Sequence, residues 1–337
     1  MREYLVGSYA QPDADSIFRI GLDEASKQLK CLASYRCAQN PSYLLMHPNR
    51  KVLYAVEECV PNGRIAVLAA KGNELVCLCE FPSGGSAPCH LEIDPAGKYL
   101  FISNYMSGSL SVYALDQEGI PVEMTDRKQH TGKGLDPRRQ EGPHVHSSRY
   151  IDGFLYVCDL GLDTVFCYRV DLQSGKLLET DKSFRLADGC GPRHTCVVPA
   201  LPNILYVDCE LSGDIYVCDL TRHAILQKVS VLPEGHCGSF LVSAIKNCGD
   251  MLYVGNRGFD SFAAFRVLGD GRLELRHITP HKNKTPRDFL CEKGFILSAD
   301  QDAGQVALLE LQDDGSPAYV CGCSLSPAMP AFILSIR

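Results

Sequence analysis

The sequence predicts an all-β protein: a seven-bladed β-propeller with four antiparallel strands in each blade. Two observations support this prediction. A phrase made of a Pro or Gly, a polar stub and two hydrophobic strands returns six times, at intervals of about 46 to 55 residues. Between the copies, short runs rich in aromatic and β-branched residues alternate with turn residues. Self-similarity at this period is typical of repeat architectures, and four short strands per repeat are typical of propeller blades.

The repeats account for the whole chain when its two ends are counted together. The strand-like segments 4–10 and 329–336 lie outside the copies, and pairing them in one blade would close the ring and remove its open edges. Six copies and this shared blade make seven, so we expect residues 1–337 to form a single propeller domain. The six copies begin at Pro41, Pro88, Pro143, Pro192, Gly238 and Pro286.

The strands are predicted in pairs that follow one another along each repeat. One group of strands is expected at 51–56, 99–103, 155–158, 204–207 and 251–254. Their partners are expected at 109–115, 164–170, 214–220, 261–267 and 305–311. Helical repeats such as ankyrin or tetratricopeptide arrays are excluded because no convincing amphipathic helix is present. A WD40 propeller is disfavoured because the chain lacks the Gly-His and Trp-Asp signature and has no Trp.

Composition limits the partners that the protein is expected to have. The net charge of −7 argues against nucleic acid or an anionic membrane as a partner. The N-terminal stretch has no apolar signal region, and no apolar run approaches the length of a membrane span. We therefore expect a cytoplasmic protein in which most of the 17 cysteines are free thiols. Nucleotide-binding and serine-nucleophile motifs are missing, and nothing in the chain demands a metal. No cofactor is expected.

The repeat also predicts where chemistry would lie. In a propeller, the first strand of each blade lines the central channel and the loop after the second strand opens onto one face, so residues at these points converge. His144, His146, Arg193 and Arg287 begin first strands, and Asn104, Asp159, Glu210 and Arg257 end or follow second strands. For any one of them, hydrogen bonding between blades is an equally good explanation. Several cations in one channel, however, repel one another unless a carboxylate or a bound anion compensates.

Beyond this pattern, the sequence resembles a known family. The phrases that carry the resemblance run in order along nearly the whole chain: LYAVEE at Leu53, FISNYMSGSLSVYAL at Phe101, EGPHVHSSRYIDGFLYVCD at Glu141, GCGPRHTC at Gly189, LYVGNRGFDSF at Leu252 and TPRDFLCEKGFILSADQD at Thr285. They are similar to the seven-bladed propeller lactonases, which include propeller-type 6-phosphogluconolactonases and carboxy-muconate lactonizing enzymes. The resemblance implies one closed ring in the cytosol that acts without a nucleotide cofactor.

Carried over by motif, the resemblance implies roles for the residues that the repeat had already selected. His144 and His146 of the Pro-His-x-His motif, together with Arg193 and Glu210, are implied in catalysis. Arg257 and Arg287 are implied in binding the anionic part of the substrate, and we expect Asn104 and Asp159 to assist them. The expected reaction is hydrolysis of 6-phosphogluconolactone by an activated water, with an arginine stabilising the oxyanion.

Three questions stay open from sequence alone. The base is His146, His144 or Glu210. The substrate is 6-phosphogluconolactone or a carboxylated lactone, and the reverse cyclisation of a muconate would use the same groups. A third possibility, from another class, is a propeller that serves as a binding scaffold without turnover, since fold alone does not fix function.

Overall fold

The computed structural model describes residues 1–72 and 74–336 and consists almost wholly of antiparallel β-sheet. The strands of the described residues form seven sheets, each with a row of four strands, and one of these sheets has a fifth strand of two residues. Among the described residues, no helix is long and apolar enough to cross a membrane. All 17 cysteines are free thiols. By contact, the chain divides into two compact units.

The second unit comprises Gly7–Ile17 and Ser34–Pro192 and contains sheets 2, 3 and 4. Sheet 2 consists of β4 (Leu44–Met46), β5 (Leu53–Glu57), β6 (Arg64–Lys71) and β7 (Glu74–Pro82). Sheet 3 consists of β8 (Pro88–Ile93), β9 (Tyr99–Asn104), β10 (Ser109–Leu115) and β11 (Pro121–Gln129). Sheet 4 consists of β12 (Val145–Ile151), β13 (Phe154–Asp159), β14 (Thr164–Asp171) and β15 (Lys176–Glu179).

Sheet 4 departs from the simple repeat because its outer strand is short. Strand β15 pairs only with residues 168–171 of β14. The beginning of β14 pairs instead with a fifth strand, β16 (Phe184–Arg185), which satisfies the backbone groups that β15 leaves open. A single 3-10 turn at Leu160–Leu162 links β13 to β14.

The first unit comprises Met1–Val6, Phe18–Ala33 and the chain from Arg193 onward, and contains most of sheets 1, 5, 6 and 7. Sheet 5 consists of β17 (Pro192–Val198), β18 (Leu201–Cys209), β19 (Asp214–Asp219) and β20 (Ala224–Ser230). Sheet 6 consists of β21 (Leu241–Cys248), β22 (Met251–Arg257), β23 (Ser261–Val267) and β24 (Leu273–Pro280). Sheet 7 consists of β25 (Pro286–Glu292), β26 (Phe295–Asp300), β27 (Gln305–Leu311) and β28 (Pro317–Ser324).

Sheet 1 is built from both ends of the chain. Its order is β29 (Met329–Ser335), β1 (Arg2–Tyr9), β2 (Ile17–Asp23) and β3 (Gln28–Tyr35), with β29 paired to β1. The predicted pairing of the two terminal segments is therefore confirmed. The ten predicted strands are also found, with bounds that differ by at most three residues, as at β18, which begins at Leu201 rather than at 204.

Apolar side chains join successive sheets within each unit, because strand alternation sends side chains to both faces of a sheet and each face can pack against a neighbour. In the first unit, one buried cluster joins sheets 5 and 6, a second joins sheets 6 and 7, and a third joins sheets 7 and 1. In the second unit, separate clusters join sheets 2 and 3 and sheets 3 and 4. Alternating aliphatic and aromatic side chains fill these layers, and their burial is the main driving force for association of the sheets.

A recurring tyrosine hydrogen bond adds specificity to these contacts. Tyr206 on β18 donates its hydroxyl to the carbonyl of Gly271 in the next sheet, at 2.9 Å. Tyr54 donates in the same way to Gly119, and Tyr253 to Gly315. Each of these glycines has a positive φ of 85 to 87°, a conformation that L-residues with a Cβ avoid. Glycine in the turn thus presents its carbonyl to the tyrosine of the preceding sheet.

Candidate active site

Two arginines and one glutamate form a buried ion cluster in the first unit. Nε of Arg193 donates to Oε2 of Glu210 at 2.8 Å, and Nη2 of Arg257 donates to the same oxygen at 2.8 Å. The side chains of Arg193 and Glu210 are each 3% exposed. Hydrogen bonds between ionised groups are the strongest kind in proteins, and burial strengthens them further. The carboxylate therefore fixes the position of two guanidinium groups at once.

Local sequence explains why these three side chains meet. Arg193 is the second residue of β17, directly after Pro192, and a proline is tolerated at the first position of a strand. Glu210 comes directly after Cys209, the last residue of β18, and Arg257 is the last residue of β22. The start of a first strand and the ends of second strands in sheets 5 and 6 therefore supply the cluster, which agrees with the positions that the repeat singles out.

Positive charge exceeds negative charge at this cluster. Burial lowers the pKa of the Arg257 guanidinium to about 10, although Glu210 opposes the shift. The charges of Arg193 and Arg287 add to the lowering, which places Arg287 within electrostatic range of Arg257. Arg193 and Arg257 thus share one glutamate, and Arg287 adds a positive charge near Arg257, an arrangement that a bound anion would stabilise.

Arg257 keeps a donor that the protein does not use. Its Nη2 also donates to the carbonyl of Val242 at 3.0 Å. Its Nε is buried and has no hydrogen-bond partner among the described residues. A buried donor without an acceptor is costly, so such a group is most often completed by a ligand or by water. Arg287, half-buried on β25, donates from Nη1 to Oε1 of Gln301 at 3.2 Å.

Asp208 belongs to the same cluster, although sequence reasoning missed it. It lies on β18 two residues before Glu210 and is fully buried. Oδ1 accepts the backbone N–H of His194 at 2.6 Å, whereas Oδ2 has no hydrogen-bond partner among the described residues. Burial raises the pKa of Asp208 to about 7, Arg193 opposes the rise, and Glu210 adds to it. The sequence signal that could have pointed to Asp208 is its position two residues before Glu210, since residues two apart in an extended segment lie on the same side.

The two histidines form a separate cluster in the second unit. The ring of His144 stacks on that of Tyr105 with centroids 4.5 Å apart, and the ring of His146 meets Tyr105 edge-on at 5.5 Å. Both histidines are less than 10% exposed. His144 also has Nδ1 at 3.1 Å from the carbonyl of Tyr105 and Nε2 at 3.3 Å from Glu141. Tyr105, which sequence reasoning missed, is thus the common contact of both rings.

Asp159 and Asn104 lie in buried hydrogen-bond networks of the second unit. Oδ1 of Asp159 accepts the N–H of His144 at 2.8 Å, and Oδ2 lies 2.6 Å from Nδ1 of His130. Nδ2 of Asn104 donates to the carbonyl of Ser83 at 3.3 Å. Both residues are fully buried, and these bonds hold the local backbone, including the segment that carries His144. A role for either residue in substrate binding stays a prediction.

The structure therefore brings seven of the eight predicted site residues together in two sets, and Asn104 belongs to neither. Arg193, Glu210, Arg257 and Arg287 are electrostatically coupled within the first unit. In the second unit, Asp159 bonds to the backbone of His144, and His144 and His146 share the ring of Tyr105. Asn104 is bonded elsewhere in that unit, to Ser83 and Ser111.

Comparison with known proteins places this arrangement in a family. The model of the family described as "Lactonase, 7-bladed beta-propeller" matches residues 3–318. A 6-phosphogluconolactonase of Bacillus subtilis is 30% identical over 325 residues, covering 92% of each chain. A protein of that name from Formosa agariphila is 28% identical and covers 90% of each chain.

Solved structures agree on the fold. A Lactobacillus plantarum protein is 27% identical, covers 99% of this chain and 98% of its own, and superposes with a TM-score of 0.90. A periplasmic gluconolactonase of Pseudomonas aeruginosa, 24% identical, covers 100% of this chain and 99% of its own with a TM-score of 0.91. Seven four-stranded antiparallel sheets and the family match confirm both the fold class and the resemblance: the chain belongs to the seven-bladed β-propeller lactonase family.

Proposed function

We propose that this protein hydrolyses a sugar lactone that carries an anionic group, with 6-phosphogluconolactone as the substrate and 6-phosphogluconate as the product. The observation that supports the proposal is the buried cluster in which Arg193 and Arg257 share the carboxylate of Glu210 while Arg287 adds a third positive charge. A guanidinium group stays charged and grips phosphate with paired donors, so this set of residues is suited to an anionic sugar.

The reaction adds one water to the lactone carbonyl and opens the ring to a hydroxy acid. In this proposal, a base removes a proton from the water as its oxygen attacks the carbonyl carbon. Negative charge then develops on the carbonyl oxygen, which accepts a hydrogen bond from Arg193. The ring oxygen leaves with a proton as the carbon–oxygen bond breaks. Arg257 and Arg287 bind the phosphate, and the buried Nε of Arg257 supplies an open donor.

The glutamate has a distinct place in this scheme. Oε2 of Glu210 already accepts two charged hydrogen bonds, so its first role is to orient the two arginines. The choice of base between His146, His144 and Glu210 stays open, and substitution of each histidine by Gln separates them. The base is the residue whose loss abolishes the acidic limb of the pH–rate profile.

The names of relatives support the phosphorylated substrate, since two of them are called 6-phosphogluconolactonase. The cytoplasmic, pentose phosphate setting of that reaction is part of the same proposal. A scaffold without turnover explains the cluster less well, because binding scaffolds place their informative residues on exposed rims, whereas Arg193 and Glu210 are each 3% exposed.

The test is hydrolysis of freshly prepared 6-phosphogluconolactone, with unphosphorylated gluconolactone in parallel and spontaneous opening subtracted. We expect Arg193→Ala to lower kcat by about 10²–10³, the usual loss for one oxyanion donor. Arg222→Ala is the matched control, because this arginine lies in the turn between β19 and β20 of sheet 5, is exposed, and pairs with Asp219. Equal turnover of both lactones would remove the phosphate-binding role. Absence of turnover by a folded protein would refute the proposed reaction and favour a carboxylated lactone or a scaffold.

A further inference from the structure

The acidic residue that the sequence did not single out has an unusual environment. Asp208 is fully buried, and its Oδ2 has no hydrogen-bond partner among the described residues. An ionised carboxylate in such a place is costly unless it is paired, whereas a neutral carboxyl is tolerated. The environment of Asp208 therefore favours the protonated carboxyl, next to the arginine cluster.

The charged groups around Asp208 come from several strands. Strand β17 contributes Arg193 and His194, whose backbone N–H binds Oδ1. Glu210 follows on the same chain segment and repels the ionised form. Strand β21 contributes Lys246, which is held by Asp288 of β25 at 3.1 Å. Strand β19 places the apolar Ile215 opposite Asp208.

The proton of Asp208 changes the charge of the cluster. Arg193 and Lys246, which lies 3.1 Å from Asp288, favour the ionised carboxyl, but burial outweighs them. Ionisation of Asp208 adds one negative charge beside Arg193, which also donates to Glu210. The attraction for an anion therefore falls when the proton leaves, and reciprocally a bound anion favours the protonated carboxyl.

We propose that Asp208 is a charge-setting residue of the anion site: it holds a proton when the anionic substrate binds, and loss of this proton weakens binding. The inference rests on the proposed function, because it uses the same three arginines. The direction follows from burial, which raises the pKa of Asp208 to about 7. Anion binding is then strongest below neutral pH and weakens as the pH rises above it.

The test uses inorganic sulfate as the probe, because sulfate does not titrate between pH 6.5 and 8.5, whereas phosphate does. Calorimetry in two buffers of different ionisation enthalpy gives both the Kd and the protons taken up on binding. For the wild-type protein we expect uptake approaching one proton and a Kd that rises by up to about tenfold per pH unit above neutrality. For Asp208→Asn we expect no uptake and a flat Kd in this range.

Asp214→Asn is the matched control. Asp214 is a buried aspartate of the same sheet, but it pairs with Lys228 at 3.0 Å and lies opposite Cys209 rather than Asp208. Its loss removes one negative charge and is expected to leave the pH dependence of sulfate binding intact. His194→Gln is measured in parallel, so that uptake by this neighbouring imidazole is subtracted.

Each outcome decides a different point. A pH dependence that survives unchanged in Asp208→Asn overturns the charge-setting role while leaving the anion site in place. Failure of the wild-type protein to bind sulfate at any pH removes the anion site of the proposed function and this inference with it. Should Asp208→Asn fail to fold, uptake in His194→Gln is decisive at pH 8, where a carboxyl with a pKa of about 7 is mostly ionised before the anion binds. No uptake overturns the proposal, and uptake of about one proton supports it.

Discussion

Asp159 and Glu210 lie at the ends of the second strands in consecutive sheets, one position apart in the repeat, and their partners differ. Asp159 is the last residue of β13, and its carboxylate is hydrogen-bonded by His130 and by backbone N–H groups. Glu210 follows β18 and is shared by Arg193 and Arg257. Asp300, at the end of β26, resembles Asp159, since His281 lies 2.9 Å from its Oδ1. The last position of the second strand thus carries a structural link in sheets 4 and 7, whereas the next position in sheet 5 carries the centre of an ion cluster.

The largest effect is expected at the ion cluster. Glu210→Gln removes the carboxylate that holds two buried guanidinium groups, so like charges remain without compensation. We expect a loss of stability of about 3–5 kcal/mol, the usual effect of breaking a buried pair. The folded fraction should also lose lactonase activity by about two orders of magnitude or more, because Arg193 is no longer oriented. Thermal unfolding and lactone hydrolysis measure the two effects. Full activity in this variant would contradict the orienting role of Glu210.

A smaller and different effect is expected at the structural link. Asp159→Asn weakens the bond to His130 and the bonds to two backbone N–H groups, which should cost about 1–3 kcal/mol. The KM for the lactone should stay unchanged in the folded fraction, because these contacts hold backbone. A tenfold rise in KM with unchanged stability would instead establish the substrate contact that the sequence predicts for Asp159.

The smallest loss of stability is expected at a turn glycine that packs against the neighbouring sheet. Gly271→Ala adds a Cβ at a φ of 87°, 2.9 Å from Cγ1 of Ile204. We expect a destabilisation of about 2 kcal/mol from strain and crowding together. Gly249→Ala is the control, since that glycine also has a positive φ but nothing within 4 Å of the added atom. Equal losses of unfolding free energy in the two variants, measured with urea, would show that backbone strain alone is responsible and that Ile204 adjusts without an energetic penalty.

Much of the fold could be predicted because the same sequence pattern recurs in six copies along the chain. Alternation and turn residues set the strand bounds, and the two terminal segments had only each other to pair with. The sequence also indicated three members of the ion cluster, because Arg193, Glu210 and Arg257 occupy ends of strands, where a polar residue next to an apolar run is easily recognised.

The rest depends on contacts that lie outside the period of the repeat. Asp208 interrupts an apolar strand and gives no sign of its burial, which arises when sheet 6 packs against β18. Asp159 has the same sequence signal as Glu210, but its partner His130 comes from the loop after β11. The sequence shows where along a strand an acidic residue lies. Which charged or polar group lies next to it depends on tertiary structure.

The tyrosine hydrogen bonds make the packing of the sheets visible to spectroscopy. The chain has 15 tyrosines and no tryptophan, so phenol groups dominate its near-ultraviolet signal. Burial raises the pKa of Tyr54, Tyr206 and Tyr253 well above that of an exposed phenol. These hydroxyl groups therefore keep their protons in alkaline solution after the surface tyrosines have ionised. Phenolate absorbance that appears late in such a titration reports the separation of neighbouring sheets, and the protein carries this probe without any label.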